Sequence, residues 1–221
     1  MTITLVLLAV VMAIVVWWLL RQSLNTRPWA EQGLIGHYHD GGAIPAPAVK
    51  VGLWVFLAVA TSLFALFLSA YAIRMDLGDW TPLPDPPLLW LNTGVLVLGS
   101  IFFQRAKNSA RREQLEGVRV GLILAGLFTF LFLIGQLWAW QQLNDEGYFL
   151  TSNPANAFFY VLTAVHGLHL LGGLWVWARA TLRVYNGFEA EHVRLSVELC
   201  TLYWHFLLLV WLVLFGLLIS T

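Results

Sequence analysis

Residues 117–141 read GVRVGLILAGLFTFLFLIGQLWAWQ, and no charged side chain interrupts them after Arg119. About 20 apolar residues is the length a helix needs to cross a bilayer core, where lipid offers backbone groups no hydrogen-bond partner. Comparable runs lie at 3–20, 51–73, 86–104, 155–178 and 196–219, so six membrane-spanning helices are expected. Composition agrees, since 59% of the 221 residues are hydrophobic and only 11% are charged. The connections are too short to hold a water-soluble domain. The expected fold is an all-α membrane protein: six transmembrane helices in one bundle, a single transmembrane domain over 1–221. Within it, 1–50 supplies an extra N-terminal helix and a loop, and 51–221 a five-helix core.

Charge sets the expected orientation. Alternate connections carry Arg21, Arg27 and Lys50, then Arg105, Lys107, Arg111, Arg112 and Arg119, then Arg179, Arg183 and Arg194, while the other side has only Arg74. Positive charge is retained on the cytoplasmic side, so both termini are expected on the outer side. The first apolar run has no charge before it, and RQSLNTR follows it. That is the reverse of a secretory signal, so a retained helix is expected, with Trp17 and Trp18 as interfacial anchors. The single cysteine, Cys200, excludes an intrachain disulfide and any multi-cysteine metal cluster.

The connections are informative in places. GHYHDGGAIPAPAVK, 36–50, predicts irregular chain; His37, His39 and Asp40 lack a helix or strand to fix them, so loop contact is favoured over metal binding. Four prolines within 82–87 predict a stiff, extended segment. SNPAN, 152–156, predicts a helix start with Asn153 as N-cap and Pro154 in the first helical position. Gly117, Gly121 and Ala125 form one ladder of small residues, and Thr61, Ala65 and Ser69 another, either of which lets helices approach closely in lipid. No internal repeat, phosphate-binding glycine loop or nucleophile motif is present, and nothing points to nucleic acid.

Ionisable groups inside spans are costly and mark candidate sites. His166 and His169, in TAVHGLHLLGGLW (163–175), share one face of the fifth span. The sixth span carries Glu198 and His205. His169 and His205 fall at similar depth, so consecutive antiparallel helices can bring them together. Glu198 suits the start of its helix, within reach of Arg194, Arg179 or Arg183. Three readings stand: haem ligation by an imidazole pair, a proton or transport path, or a polar cluster locking the fifth and sixth spans together. The absence of a midplane carboxylate weighs against the second, and the polar cluster leads.

NPANAFFYVLTAVHGLHLLGGLW followed by ELCTLYWHFLLLVWLVLF strongly resembles the last two helices of subunit III of the haem–copper oxidases, above all cytochrome c oxidase. KVGLWVFLA, PPLLWLNTGVLVLGS and GLILAGLFTFLFLIGQLWAW are similar to that family's preceding helices, so the resemblance covers about 50–219. It implies a non-catalytic accessory subunit of a proton-translocating oxidase that reduces oxygen to water. Such a subunit binds subunit I within a complex that also holds subunit II, supports assembly and stability, and contacts membrane lipids. No cofactor is expected in this chain; haems and copper belong to partner subunits, and bound phospholipid is expected. Arg183 matches a position near lipid headgroups.

Two departures stand out: Ala60 and Leu208 occupy positions where the family pattern has carboxylates. A nitric oxide reductase partner therefore remains as an alternative, and a quinol oxidase subunit is another because subunit III does not itself distinguish the electron donor, with a stand-alone b-type cytochrome and a small transporter behind them. A bacterial cytoplasmic membrane is the expected location. His205→Ala is expected to weaken packing of the fifth and sixth spans.

Overall fold

A computed structural model describes Trp17 and residues 48–84, 87–186 and 190–220. It is all-helical: α1 (Ala48–Met75), α2 (Pro87–Arg111), α3 (Leu115–Asp145), α4 (Pro154–Tyr185) and α5 (Ala190–Ile219). All five are long and apolar enough to cross a membrane. The expectation of six spans is corrected to five among the described residues. Placing both termini on the outer side depended on an even number of crossings and falls with it. The run 3–20 lies outside the described residues except for Trp17, which is helical and exposed.

The helices overrun the apolar runs that announced them. At 25 to 32 residues they are about 38–48 Å long at 1.5 Å per residue, against a hydrocarbon core of about 30 Å. Much of the excess lies at one end of the bundle, where Arg and Lys line α2, α3 and α4 and pair with groups on neighbouring helices. Glu198 meets Arg111 at 3.3 Å and Lys107 at 3.7 Å, and the Arg119 guanidinium lies 5.0 Å from the centre of the Tyr185 ring. This basic end gathers cations from connections that the sequence separates widely.

The opposite end is closed by hydrogen bonds from connecting segments. Asn153 caps α4, its side chain accepting from the Ala155 amide, with Pro154 in the first turn as the sequence predicts. The same Asn153 amide donates to the Thr81 carbonyl. Residues 81–84 have no regular secondary structure. Trp80 stacks edge-on against Tyr71 of α1 and lies near Phe158 of α4. Tyr160 donates to the Tyr148 carbonyl at 2.9 Å.

Within residues 59–221 the core lies among α2, α3, α4 and α5, with α2 and α3 in the longest contact. The ladder on α3 accounts for that approach: a Cβ at Gly121 would stand 2.8 Å from the Cβ of Ala106, and one at Gly117 would strike Ser109. On α1 the buried stripe runs through Ala60, Phe64, Leu68 and Tyr71. The Thr61, Ala65 and Ser69 ladder lies off that stripe, with Ser69 exposed.

Candidate functional site

The seams of α5 with α2, α3 and α4, and that of α3 with α4, each carry a side chain that hydrogen-bonds to another helix. His205 of α5 is the clearest. Its Nε2–H donates to Gln104 Oε1 at 3.0 Å, and its Nδ1 accepts from the Ser100 hydroxyl at 2.5 Å. Gln104 in turn donates through Nε2 to Asn108 Oδ1 at 3.1 Å, which orients its amide carbonyl toward the imidazole. Ser100 and Gln104 are four apart on one face of α2. His205 therefore ties α5 to α2, and both its ring nitrogens are engaged there. The seam it holds is not the one between the fifth and sixth apolar runs that the sequence pattern suggests.

His169 stays on α4. Its Nδ1–H donates to the Val165 carbonyl at 2.7 Å, and its ring lies 5.3 Å from that of Phe64 on α1. The Tyr203 hydroxyl donates to the His169 carbonyl at 2.9 Å, giving α5 a hold on the α4 backbone. His166 is fully buried, between Phe132 of α3 and Trp211 of α5. No described protein atom hydrogen-bonds either of its nitrogens.

The three histidines thus serve three neighbourhoods. Bis-imidazole ligation by His205 is opposed by the two hydrogen bonds that occupy its nitrogens. Among the described residues no group of three or more His, Cys, Asp or Glu could hold a metal ion. His37, His39 and Asp40 lie outside the described residues.

Glu198 and Arg183 lie at the basic end. Glu198 pairs with Arg111 and Lys107 on α2; α2 takes the place of the nearer cations Arg194, Arg179 and Arg183 as its partner. Arg183 donates to the Ser196 hydroxyl at 3.1 Å across the α4–α5 connection. Among the glycines near His166, close packing is confined to Gly173, where a Cβ would meet Tyr203 and Trp204 within 3 Å. Gly167 has only Leu133 at 3.9 Å, and Gly172 has nothing within 4 Å.

Tryptophan does much of the cross-helix bonding, and the sequence pattern does not mark it. Trp204 and Trp211 of α5 donate to the hydroxyls of Thr129 on α3 and Thr93 on α2, both at 2.9 Å. Trp140 of α3 donates to Thr163 on α4 at 3.1 Å, and Trp177 of α4 to the Leu122 carbonyl on α3 at 2.9 Å. Thr93, Thr129 and Thr163 each donate to their own helix four residues back. That leaves the oxygen lone pairs for the indole. An indole N–H in mid-span needs an acceptor, so 12 tryptophans and the threonines facing them were the available signal. Asn92 and Gln136 are buried polar residues of the same interior, and the Asn92 side chain of α2 faces Gly135 of α3.

The class is defined by this arrangement: a polytopic helical membrane protein whose intramembrane polar groups join helices to one another. Its kinship is equally plain. The family described as cytochrome c oxidase subunit III matches residues 2–219, including the first apolar run as well as the core. A probable cytochrome c oxidase subunit 3 of Mycobacterium bovis is 30% identical over 76% of this chain and 85% of its own length. Cytochrome c oxidase subunit 3 of Synechocystis is 31% identical over 74% of this chain and 72% of its own. A probable quinol oxidase subunit 3 of Staphylococcus saprophyticus is 27% identical over 75% and 85%. The chain belongs to the cytochrome c oxidase subunit III family. It is an integral membrane protein and a component of an oxidase complex, which implies partner subunits.

Proposed function

We propose that the chain is a non-catalytic accessory subunit of a proton-translocating aerobic terminal oxidase of the cytochrome c type, seated beside subunit I in a bacterial cytoplasmic membrane. In this reading subunit I carries haem and copper and subunit II completes the complex. This chain contributes assembly, lipid organisation and durability. The observation that carries it is the use made of the intramembrane polar groups. His205, Trp204, Trp211 and Thr201 all hydrogen-bond across helix seams, which suits a scaffold and leaves no shared reaction centre among the described residues. Ala60 and Leu208 stand where the family pattern has carboxylates, so proton uptake is assigned to the partner subunits. Arg183, exposed and bonded only lightly through Ser196, is the residue we assign to a lipid headgroup.

The test is to purify the chain from its native membrane in mild detergent and record the reduced-minus-oxidised spectrum with the identity of the bound proteins. An a-type haem signal that follows a large copper-containing subunit supports the proposal. Haem that stays with this chain alone sinks it. The likeness to a quinol oxidase subunit favours one second reading, a quinol-fed complex. The electron donor used by the purified assembly separates the two.

A further inference from the structure

At the basic end, a cavity of about 390 Å³ lies against α2 and α3, beside their close contact at Gly117 and Gly121. Its upper wall is polar: Arg105, Asn108, Ser109 and Arg112 follow one another at helical spacing on a single face. Its lower wall is apolar, made by Phe102, Val120 and Leu124. Gly117 and Gly121 add bare backbone to the lining, and the space a Cβ would occupy there is already filled by Ser109 and Ala106. The ten steps from Phe102 to Arg112, just past the end of α2, span about 15 Å at helical rise, roughly half of the ~30 Å hydrocarbon core. The gradient from guanidinium to aromatic ring therefore runs from the membrane surface toward its middle.

The charges at the mouth are not spoken for. Arg105 and Arg112 are exposed and form no ion pair among the described residues, whereas Lys107 and Arg111 are held by Glu198. The carboxylates of the adjoining turn, Glu113 and Glu116, do not line the cavity. Two guanidinium groups offer the forked donors that phosphate oxygens accept in pairs, and the first turn of α3 presents the positive end of a 31-residue helix beside them.

We propose that this cleft binds one anionic phospholipid, its phosphate between Arg105 and Arg112 and one acyl chain along Phe102, Val120 and Leu124. The site is separate from Arg183. It rests on the chain spanning a bilayer and not on which oxidase subunit it meets, and the assay contains no partner, so failure of either reading leaves the other standing.

The full chain in mild detergent is titrated with phosphatidylglycerol and bound lipid is counted by native mass spectrometry. One phosphatidylglycerol is expected, with phosphatidylcholine binding about tenfold more weakly because it brings no net negative charge to the arginines. Arg105→Gln with Arg112→Gln is expected to weaken phosphatidylglycerol about tenfold or more. Arg179→Gln, a charge removed outside the cavity, leaves binding within about twofold. Val120→Trp fills the lower cavity without touching charge and is expected to weaken lipid equally, which keeps the test open if the double variant does not fold. Unchanged binding in Val120→Trp, equal binding of both lipids, or displacement by millimolar inorganic phosphate overturns the proposal; the last would assign a site for soluble phosphate.

Discussion

The Trp204 indole donates to the Thr129 hydroxyl at 2.9 Å, and Thr129 donates back along its own helix to the Ala125 carbonyl at 2.9 Å. Both residues are almost completely buried, so no water competes for the bond. Thr129→Val keeps the shape and strands the indole N–H, at an expected cost of about 1–2 kcal/mol. In a domain of this size that is a fall in Tm of about 2–8 °C. Thr129→Ser keeps the hydroxyl and should recover most of it. Equal melting of the Val and Ser variants in detergent would show that the bond contributes nothing.

His205 makes a different prediction, because it joins α5 to α2 through two hydrogen bonds at once. Replacing it by Ala removes both, leaves Ser100 and Gln104 facing an unfilled space, and is expected to cost about 2–4 kcal/mol. The isolated chain should melt earlier, and less of it should co-purify with its complex. The haem spectrum of the complex that remains should match the parent, since the imidazole is bonded to protein. Ser100→Ala, which deletes one bond only, should fall between. A haem signal lost in proportion to His205 would contradict the structural role.

How far the sequence reaches is clear from these residues. The five described spans and the Asn153–Pro154 start of α4 are local properties, set by apolar length and by capping chemistry, and they were legible. Partner choice was not. Glu198 lies near Arg194 in sequence and His205 near His169 in depth, yet both take partners from α2. Which helices adjoin depends on where small residues permit close approach, and the ladder through Gly117 and Gly121 marks α3 for such an approach without saying that Ala106 of α2 makes it. The first apolar run, 3–20, lies outside the described residues apart from Trp17, so the described crossings number five.

Outside the membrane, Asp79 pairs with Arg74 across the turn that ends α1. The hydrogen bond from Arg74 holds the Asp79 carboxyl below its ordinary value. A carboxyl whose folded value is depressed contributes stability above its unfolded value, about 3.9, and loses it as pH falls through the folded value. Asp79→Asn should therefore lower amide protection at Leu77 and Trp80, which close this turn, at neutral pH. The difference from the parent should narrow below about pH 4. Both side chains reach solvent, so the effect is local and should weaken in high salt. A difference that persists unchanged at pH 2 would assign the protection to something other than this ion pair.

The tightest test of the bundle is a single methyl group. Gly121 faces Ala106 with no room to spare: a Cβ there would lie 2.8 Å from the Ala106 Cβ and 3.0 Å from its backbone nitrogen and Cα. Backbone cannot rotate aside as a long side chain can, so Gly121→Ala must push α2 and α3 apart. Overpacking of this kind costs about 1–3 kcal/mol, although Ala is intrinsically the better helix former by about 1 kcal/mol. Gly172 supplies the control, for it also lies inside a span but has nothing within 4 Å of a Cβ. Gly172→Ala should leave melting unchanged or raise it slightly. The two variants share one chemical change and differ only in what the methyl meets. Opposite signs in Tm would show that close approach sets this seam; equal effects would show that helix propensity does.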